Sequence, residues 1–572
     1  MNRKKITDSA IYIVLIVVFL APRIPMIGSF VTLDEPSWLS QGANFYYALG
    51  QREFENTVYE YQPAVTTMWI ISIAMFIYFP EYRGFGQGYL DYEKGRLDPF
   101  MYEHGKYPLI LLTYARVIQV FIILIFFLLL YYLLQRFIPK LGAVFVLIFS
   151  SFDPYYLGLT RLLTHEAMVS IFVLVSLMAL AVYLFKDRRI IFLLMSGVAA
   201  GFAQLTKSSA IAMLAGVGIL LLMQIIQERP QGWGKAFLNN TKAFALWLIF
   251  LAVTYFIFWP GMWVAPGKML YEVYGNAFSY AFQGARLKVT EDLDVSQFSL
   301  NNLMGIWEVA KVLLYRTTPW TWLGVLFGFA LPFTRDRELV RQNRLLFTLL
   351  LTNAVAFVLL IGIAQGRNSP HYILSSYLSL NLLAGLGWLH IFQWIVSRFS
   401  AKQMQLHYAG LMMVLLLQVW SAVSFFPYYF TYRNPILHSA GWYRYYPQKP
   451  YGEGLELAAH YLAGMPNAAE SIAFVYYSRG CFSYFYPGRS ISFRPYYVDG
   501  AHATDLLRNL QASDYLVVYY ANQVQLGKYD AYLNILATVE PIHVIWMDGY
   551  EYVRIYKVDS FSPEIFEALT NL

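Results

Sequence analysis

The sequence predicts a polytopic α-helical membrane protein with a small α/β domain at its C-terminal end, and three observations carry that reading. The 572 residues are 58% hydrophobic and only 13% charged, where soluble domains run near roughly 45–50% and about 25%. Eleven apolar runs approach the roughly 17–25 residues that a membrane span needs. Beyond Pro427 these runs stop, and short β-rich stretches alternate with helical ones.

The apolar runs are Ile11 to Ile27, Leu109 to Leu134, Leu141 to Leu159, Ala167 to Leu184, Ile190 to Leu205, Ala210 to Ile226, Ala243 to Trp259, Thr318 to Phe333, Leu345 to Ala364, Tyr372 to Phe392 and Ala409 to Phe426. A further run, Val65 to Phe79, has a length that suits an interfacial or re-entrant helix better than a span. Charge assigns the sides. With "MNRKK" inside and about 11 transmembrane helices, the short cytoplasmic loops carry 14 Lys and Arg. The short loops opposite hold only Arg161, Lys207 and Arg367. Counting Val65 to Phe79 as a span would invert that bias, against the positive-inside rule.

The sequence thus divides into a membrane domain, 1–426, and a C-terminal extracytoplasmic α/β domain, 427–572. The membrane domain has a first outer loop at 28–108 and a second long outer loop at 260–319. The tail's expected strands lie in "SIAFVYY", "SDYLVVYY", "IHVIWM" and "EYVRIYKV", with helices in "HATDLLRNL" and "NQVQLGKYDAYLNILA". The first segment lacks a small-residue cleavage site and is followed by more spans, so it reads as an anchor rather than a cleaved signal. The single cysteine, Cys481, excludes an internal disulfide. The net charge of +7 is explained by cytoplasmic loops, and no nucleic-acid recognition motif accompanies it.

The unusual polar residues share one predicted side. Asp34 and Glu35 follow the first span in "VTLDEPSWLS"; Arg161, His165 and Glu166 sit in "TRLLTHEAM"; Lys207 sits in "LTKSSA"; Arg367, His371 and Tyr372 sit in "GRNSPHY". Each has a plainer reading. Asp34 or Thr32 caps the helix that Pro36 opens, Glu166 begins the fourth span, Arg161 snorkels to headgroups, and the two histidines are interfacial. Lys207 is the hardest to read that way, since it interrupts an apolar stretch, and an intramembrane ionisable group is a functional candidate by default. Together, cations and carboxylates in an apolar setting point to an anionic lipid headgroup and acid or base chemistry. Two histidines without a spaced third ligand make only a weak metal signal.

These residues also carry a resemblance. In order along the membrane part and into the start of the C-terminal domain, "LDEPSW", "YQPAVTTMWI", "TRLLTHEAM", "GFAQLTKSSA", "FWPGMWVAP", "LLYRTTPWTWLG", "PYYFTYRNPIL" and "YGEGLELAAHYL" resemble the motifs of GT-C glycosyltransferases that use lipid-phosphate sugars. The branch is that of the protein O-mannosyltransferases and aminoarabinose transferases. Gln62 stands where many relatives carry His, and Glu166 where Asp is commoner. The second outer loop is too short for the eukaryotic β-trefoil insert, which points to a prokaryotic member.

The resemblance implies an inverting glycosyltransferase at the extracytoplasmic face of the cell membrane. Its donor would be a polyprenyl-phosphate sugar and its acceptor a protein, lipid or glycan. Asp34 would be the general base, Glu35 and Glu166 would orient sugar or acceptor, and Arg161, Lys207 and Arg367 would hold the donor phosphate. His165, His371 and Tyr372 are candidate substrate contacts. No certain cofactor is implied, and a divalent metal stays open. The alternative function is a transporter or flippase of lipid-linked sugars, against which stands the lack of an internal repeat.

Overall fold

The computed structural model describes residues 3–59, 62–91, 97–282, 302–333, 337–364, 369–396, 403–442, 450–476, 480–493, 503–522 and 530–570. Among the described residues, seven helices are long and apolar enough to cross a membrane. They are Pro108–Leu134, His165–Phe185, Ser208–Gln231, Trp233–Phe258, Asn343–Ile363, Pro370–Val396 and Gln405–Val423. Each falls on an expected span.

The other four expected spans differ for local reasons. The run from Leu141 to Leu159 is a pair of helices, Lys140–Ser151 and Pro154–Thr160, bent by 78°. Asp153 accepts the Tyr156 N–H at 2.9 Å and caps the second helix, with Pro154 at its first position, so one helix stops and another starts. Hydropathy registers the apolar residues here and is blind to the cap. The apolar parts of the first and fifth expected spans are Ser9–Leu20 and Ile190–Thr206, both shorter than 18 residues. The eighth is the ten-residue helix Pro319–Gly328. Val65–Tyr78 is a helix of 14 residues, short as its sequence predicts. Two stretches read as cytoplasmic loops are partly helical: helices begin at Trp233 and Arg337, well before the apolar runs they lead into. The described part of the 260–319 loop is likewise largely helical, including Asn276–Phe282 and Asn302–Arg316.

The chain forms two compact units that alternate along the sequence. The first holds Met1–Pro25, Asn44–Gly84 and Ala115–Ala440; the second holds Met26–Ala43, Phe85–Tyr114 and Gly441–Leu572. The expected division at 426 cuts the chain once, whereas parts of the 28–108 segment pack with the tail.

Within the first unit, helix Ile190–Thr206 lies against Trp233–Phe258 at a small-residue seam. A Cβ at Gly197 would stand 2.4 Å from Phe250 Cβ, and one at Gly201 2.6 Å from Thr254 Cβ. This G-x-x-x-G spacing lets two backbones approach closely where no hydrophobic drive separates helix from lipid.

Within the second unit, five strands form a sheet of order β2-β1-β3-β5-β4: β1 (Ile472–Tyr476), β2 (Arg489–Phe493), β3 (Tyr515–Tyr519), β4 (His543–Met547) and β5 (Tyr550–Lys557). β1 pairs in parallel with β2 and β3; β5 pairs antiparallel with β3 and β4. The β4–β5 hairpin turns at Asp548 and Gly549, with φ of 50° and 76°, the two positive values that an Asp-Gly turn supplies. Phe474, Leu516, Val518, Leu536 and Tyr556 centre its core. The segment Phe85–Tyr114 joins this unit through Asp98, which accepts from Ser483 Oγ at 3.1 Å, and Tyr102, whose hydroxyl donates to the Ser483 carbonyl at 3.2 Å.

Candidate active site

In the first unit, helix His165–Phe185 begins with His165 and Glu166, both buried. An acid in the first turn suits the positive end of the helix dipole. Helix Ile190–Thr206 ends at Lys207, whose backbone is extended (φ −155°, ψ 133°) before the chain resumes as a 3₁₀ turn at Ser208. That break aims the lysine side chain across to Glu166 Oε1, an ion pair with side chains only 5% and 8% exposed. The same ammonium lies 4.2 Å from the centroid of the Tyr372 ring, a cation–π contact, and His371 meets Tyr372 edge to face with ring centroids 4.4 Å apart.

The helix Val65–Tyr78 buttresses this cluster from the "PAVTT" stretch. Ala64 N–H donates to the Thr206 carbonyl at 3.2 Å. Thr66 and Thr206 hydroxyls meet at 2.7 Å, and Thr67 Oγ1 lies 2.7 Å from His165 Nδ1. Lys207, Glu166, His165, His371 and Tyr372, five of the residues singled out from sequence, therefore stand together, with Thr67 added. Nothing about the Thr-Thr pair marked it beforehand, because a hydroxyl in an apolar helix signals its partner only in three dimensions.

Arg161 follows the bent helix pair and is 1% exposed. Its guanidinium donates to the carbonyls of Pro427, at 3.1 Å, and Pro25, with the Phe426 and Tyr429 rings 5.8 and 5.5 Å away. Arg23, which the apolar run from Ile11 concealed, is fully buried and donates to Thr160 Oγ1 at 2.9 Å and to the carbonyls of Phe19 and Ser151, each at 3.1 Å. Arg367 lies outside the described residues.

In the second unit, Asp34 and Glu35 have different settings. Glu35 is fully buried and opens helix Glu35–Gln51, and its carboxylate accepts the Thr32 N–H at 2.8 Å. Asp34 is half-buried, and its Oδ2 accepts the Tyr451 hydroxyl at 2.6 Å. Among the described residues nothing hydrogen-bonds Oδ1. Tyr451 opens the "YGEGLELAAHYL" stretch, whose turn is tied to the same loop: Leu33 N–H donates to the Tyr451 carbonyl at 3.1 Å, and Tyr451 N–H donates to Glu453 Oε2 at 2.6 Å. Gly452 follows at φ 111°, where a Cβ would stand 2.6 Å from the Val31 carbonyl oxygen. Only glycine meets both demands.

The chain matches no protein-family model, and no curated protein is similar to it at a significant level. Among solved structures it is similar to ArnT from Cupriavidus metallidurans bound to undecaprenyl phosphate, with 12% identity and a TM-score of 0.49, over 95% of this chain and 97% of that one. It is also similar to the archaeal oligosaccharyltransferase AglB from Archaeoglobus fulgidus in complex with an inhibitory peptide and a dolichol-phosphate, with 10% identity and a TM-score of 0.42, over 93% of this chain and 71% of that one. Among the described residues no group of three His, Cys, Asp or Glu is placed to hold a metal ion.

Proposed function

We propose that this chain is a multi-pass membrane glycosyltransferase that moves a sugar from a polyprenyl-phosphate donor to an acceptor at the extracytoplasmic face, with inversion at the anomeric carbon. The observation that carries the reading is the buried pair of Lys207 and Glu166, flanked by Tyr372 and by His165 with Thr67. Desolvating two charges costs free energy that their attraction does not reliably return, so their retention in apolar helices favours use over framework.

Lys207 has three N–H donors and spends one on Glu166, which leaves two for phosphate oxygens. Arg161, whose guanidinium serves the carbonyls of Pro25 and Pro427, we assign to the frame around the donor's entry; Arg367 keeps a phosphate role by resemblance alone. Asp34 takes the proton from the acceptor hydroxyl through Oδ1. The acceptor oxygen then bonds to the anomeric carbon from the face opposite the leaving group. The carbon–oxygen bond to phosphate breaks, its electron pair stays on oxygen, and polyprenyl phosphate departs. Glu35 holds its loop, and Glu166 sets the position of Lys207.

The test is release of polyprenyl phosphate from a polyprenyl-phosphate donor carrying a labelled hexose or pentose, in membranes that supply acceptor and without an energy source. Release coupled to sugar transfer is expected. Donor crossing the membrane with no release would instead identify a flippase. Replacing a general base costs about 10²–10⁴ in rate, so folded Asp34→Asn is expected to lose at least about a hundredfold; full activity would remove Asp34 from that role.

A further inference from the structure

We infer that Tyr451, supplied by the C-terminal segment, is the positioning residue of the base: its hydroxyl holds Asp34 Oδ2 so that Oδ1 faces the acceptor. This rests on the reading of Asp34 as the base.

Three observations within the second unit lead there. The phenol donates to Asp34 at 2.6 Å, the short range of a hydrogen bond to a charged acceptor. The ring is delivered by a turn with little freedom. Its carbonyl takes the Leu33 N–H, one residue before Asp34, and its own N–H is held by Glu453. The following Gly452 presses against the Val31 carbonyl, while its N–H donates to Tyr519 Oη at 3.2 Å and that hydroxyl donates to the Glu453 carbonyl at 2.8 Å. Finally, the loop is already secured without the phenol, by Glu35 on Thr32 and by the Leu33 to Tyr451 backbone bond. What the hydroxyl adds is the direction of one half-buried carboxylate. A role for the tail follows, since it brings the group that aims the base.

Four full-length proteins decide the matter: wild type, Tyr451→Phe, Asp34→Asn and the double variant, all assayed for polyprenyl phosphate release from the labelled donor described above. Tyr451→Phe keeps the ring and the backbone bonds, and unchanged thermal unfolding confirms its fold. It is expected to lower the maximum rate about tenfold or more while the half-saturating donor concentration stays put. In the Asp34→Asn background it should cost nothing further, because a residue acting through Asp34 has nothing left to act through. Full rate in Tyr451→Phe beside a crippled Asp34→Asn overturns the positioning role alone. So does an equal fractional loss in both backgrounds. Full rate in Asp34→Asn overturns the base and the positioning residue together.

Discussion

Two carboxylates adjacent in sequence, Asp34 and Glu35, end in different physical states because the helix they open has one buried and one half-open side. Glu35 spends its charge on a backbone N–H and is lost to solvent, whereas Asp34 keeps an oxygen available. The ion pair of Glu166 and Lys207 poses a different question, that of stability. Removing one partner of a buried pair strands the other and costs about 3–5 kcal/mol, while replacing both by apolar residues of similar size is often neutral. Lys207→Met is therefore expected to lower the thermal unfolding temperature in detergent, and Lys207→Met with Glu166→Leu to restore most of it, while both variants lose transfer. A double variant no more stable than Lys207→Met would show that the pair carries little of the local stability.

Helix ends, more than helix middles, set the candidate site. His165 and Glu166 open one helix, Lys207 closes another, and Thr66 and Thr67 open a third. Their geometry depends on how closely the helices pack. The Gly197 and Gly201 seam fixes helix Ile190–Thr206 against Trp233–Phe258, six residues before Lys207 in the case of Gly201. Gly201→Leu would drive a side chain into Thr254 and the Leu251 carbonyl, and overpacking of this kind costs about 1–3 kcal/mol or more. The expected outcome is lower thermal stability together with loss of transfer, with Gly218→Leu as a control, since a Cβ there meets nothing within 4 Å. Equal behaviour of the two variants would show that the seam does not hold the lysine.

At the scale of the molecule, the positive-inside bias predicts a cytoplasmic N-terminus and an extracytoplasmic α/β unit. A cysteine label tests this cleanly, because the sole native thiol, Cys481, is fully buried. Asp548→Cys, in the exposed turn between β4 and β5, is expected to react with a membrane-impermeant maleimide in intact cells, while wild type stays unlabelled. Labelling only after the cells are opened would invert the topology.

Much was legible in advance because the signals are local. A run of apolar residues declares a membrane helix whatever it packs against, and seven expected spans appear as such. β-branched and aromatic runs declared four of the five strands; β2, in "RSISF" with its alternating polar residues, escaped. The motifs that resemble GT-C glycosyltransferases were readable as strings. The sequence by itself thus determined a multi-pass helical protein with an α/β tail and which of its polar residues are out of place in apolar surroundings. Only the tertiary structure decided their partners: that Lys207 meets Glu166 and Tyr372, that Arg161 and Arg23 serve backbone carbonyls, that Asp153 breaks a span, and that Tyr451, more than four hundred residues along the chain, reaches Asp34. Burial tendency belongs to a residue and its near neighbours, whereas a hydrogen bond or ion pair between distant segments exists only once packing has brought them within about 3 Å.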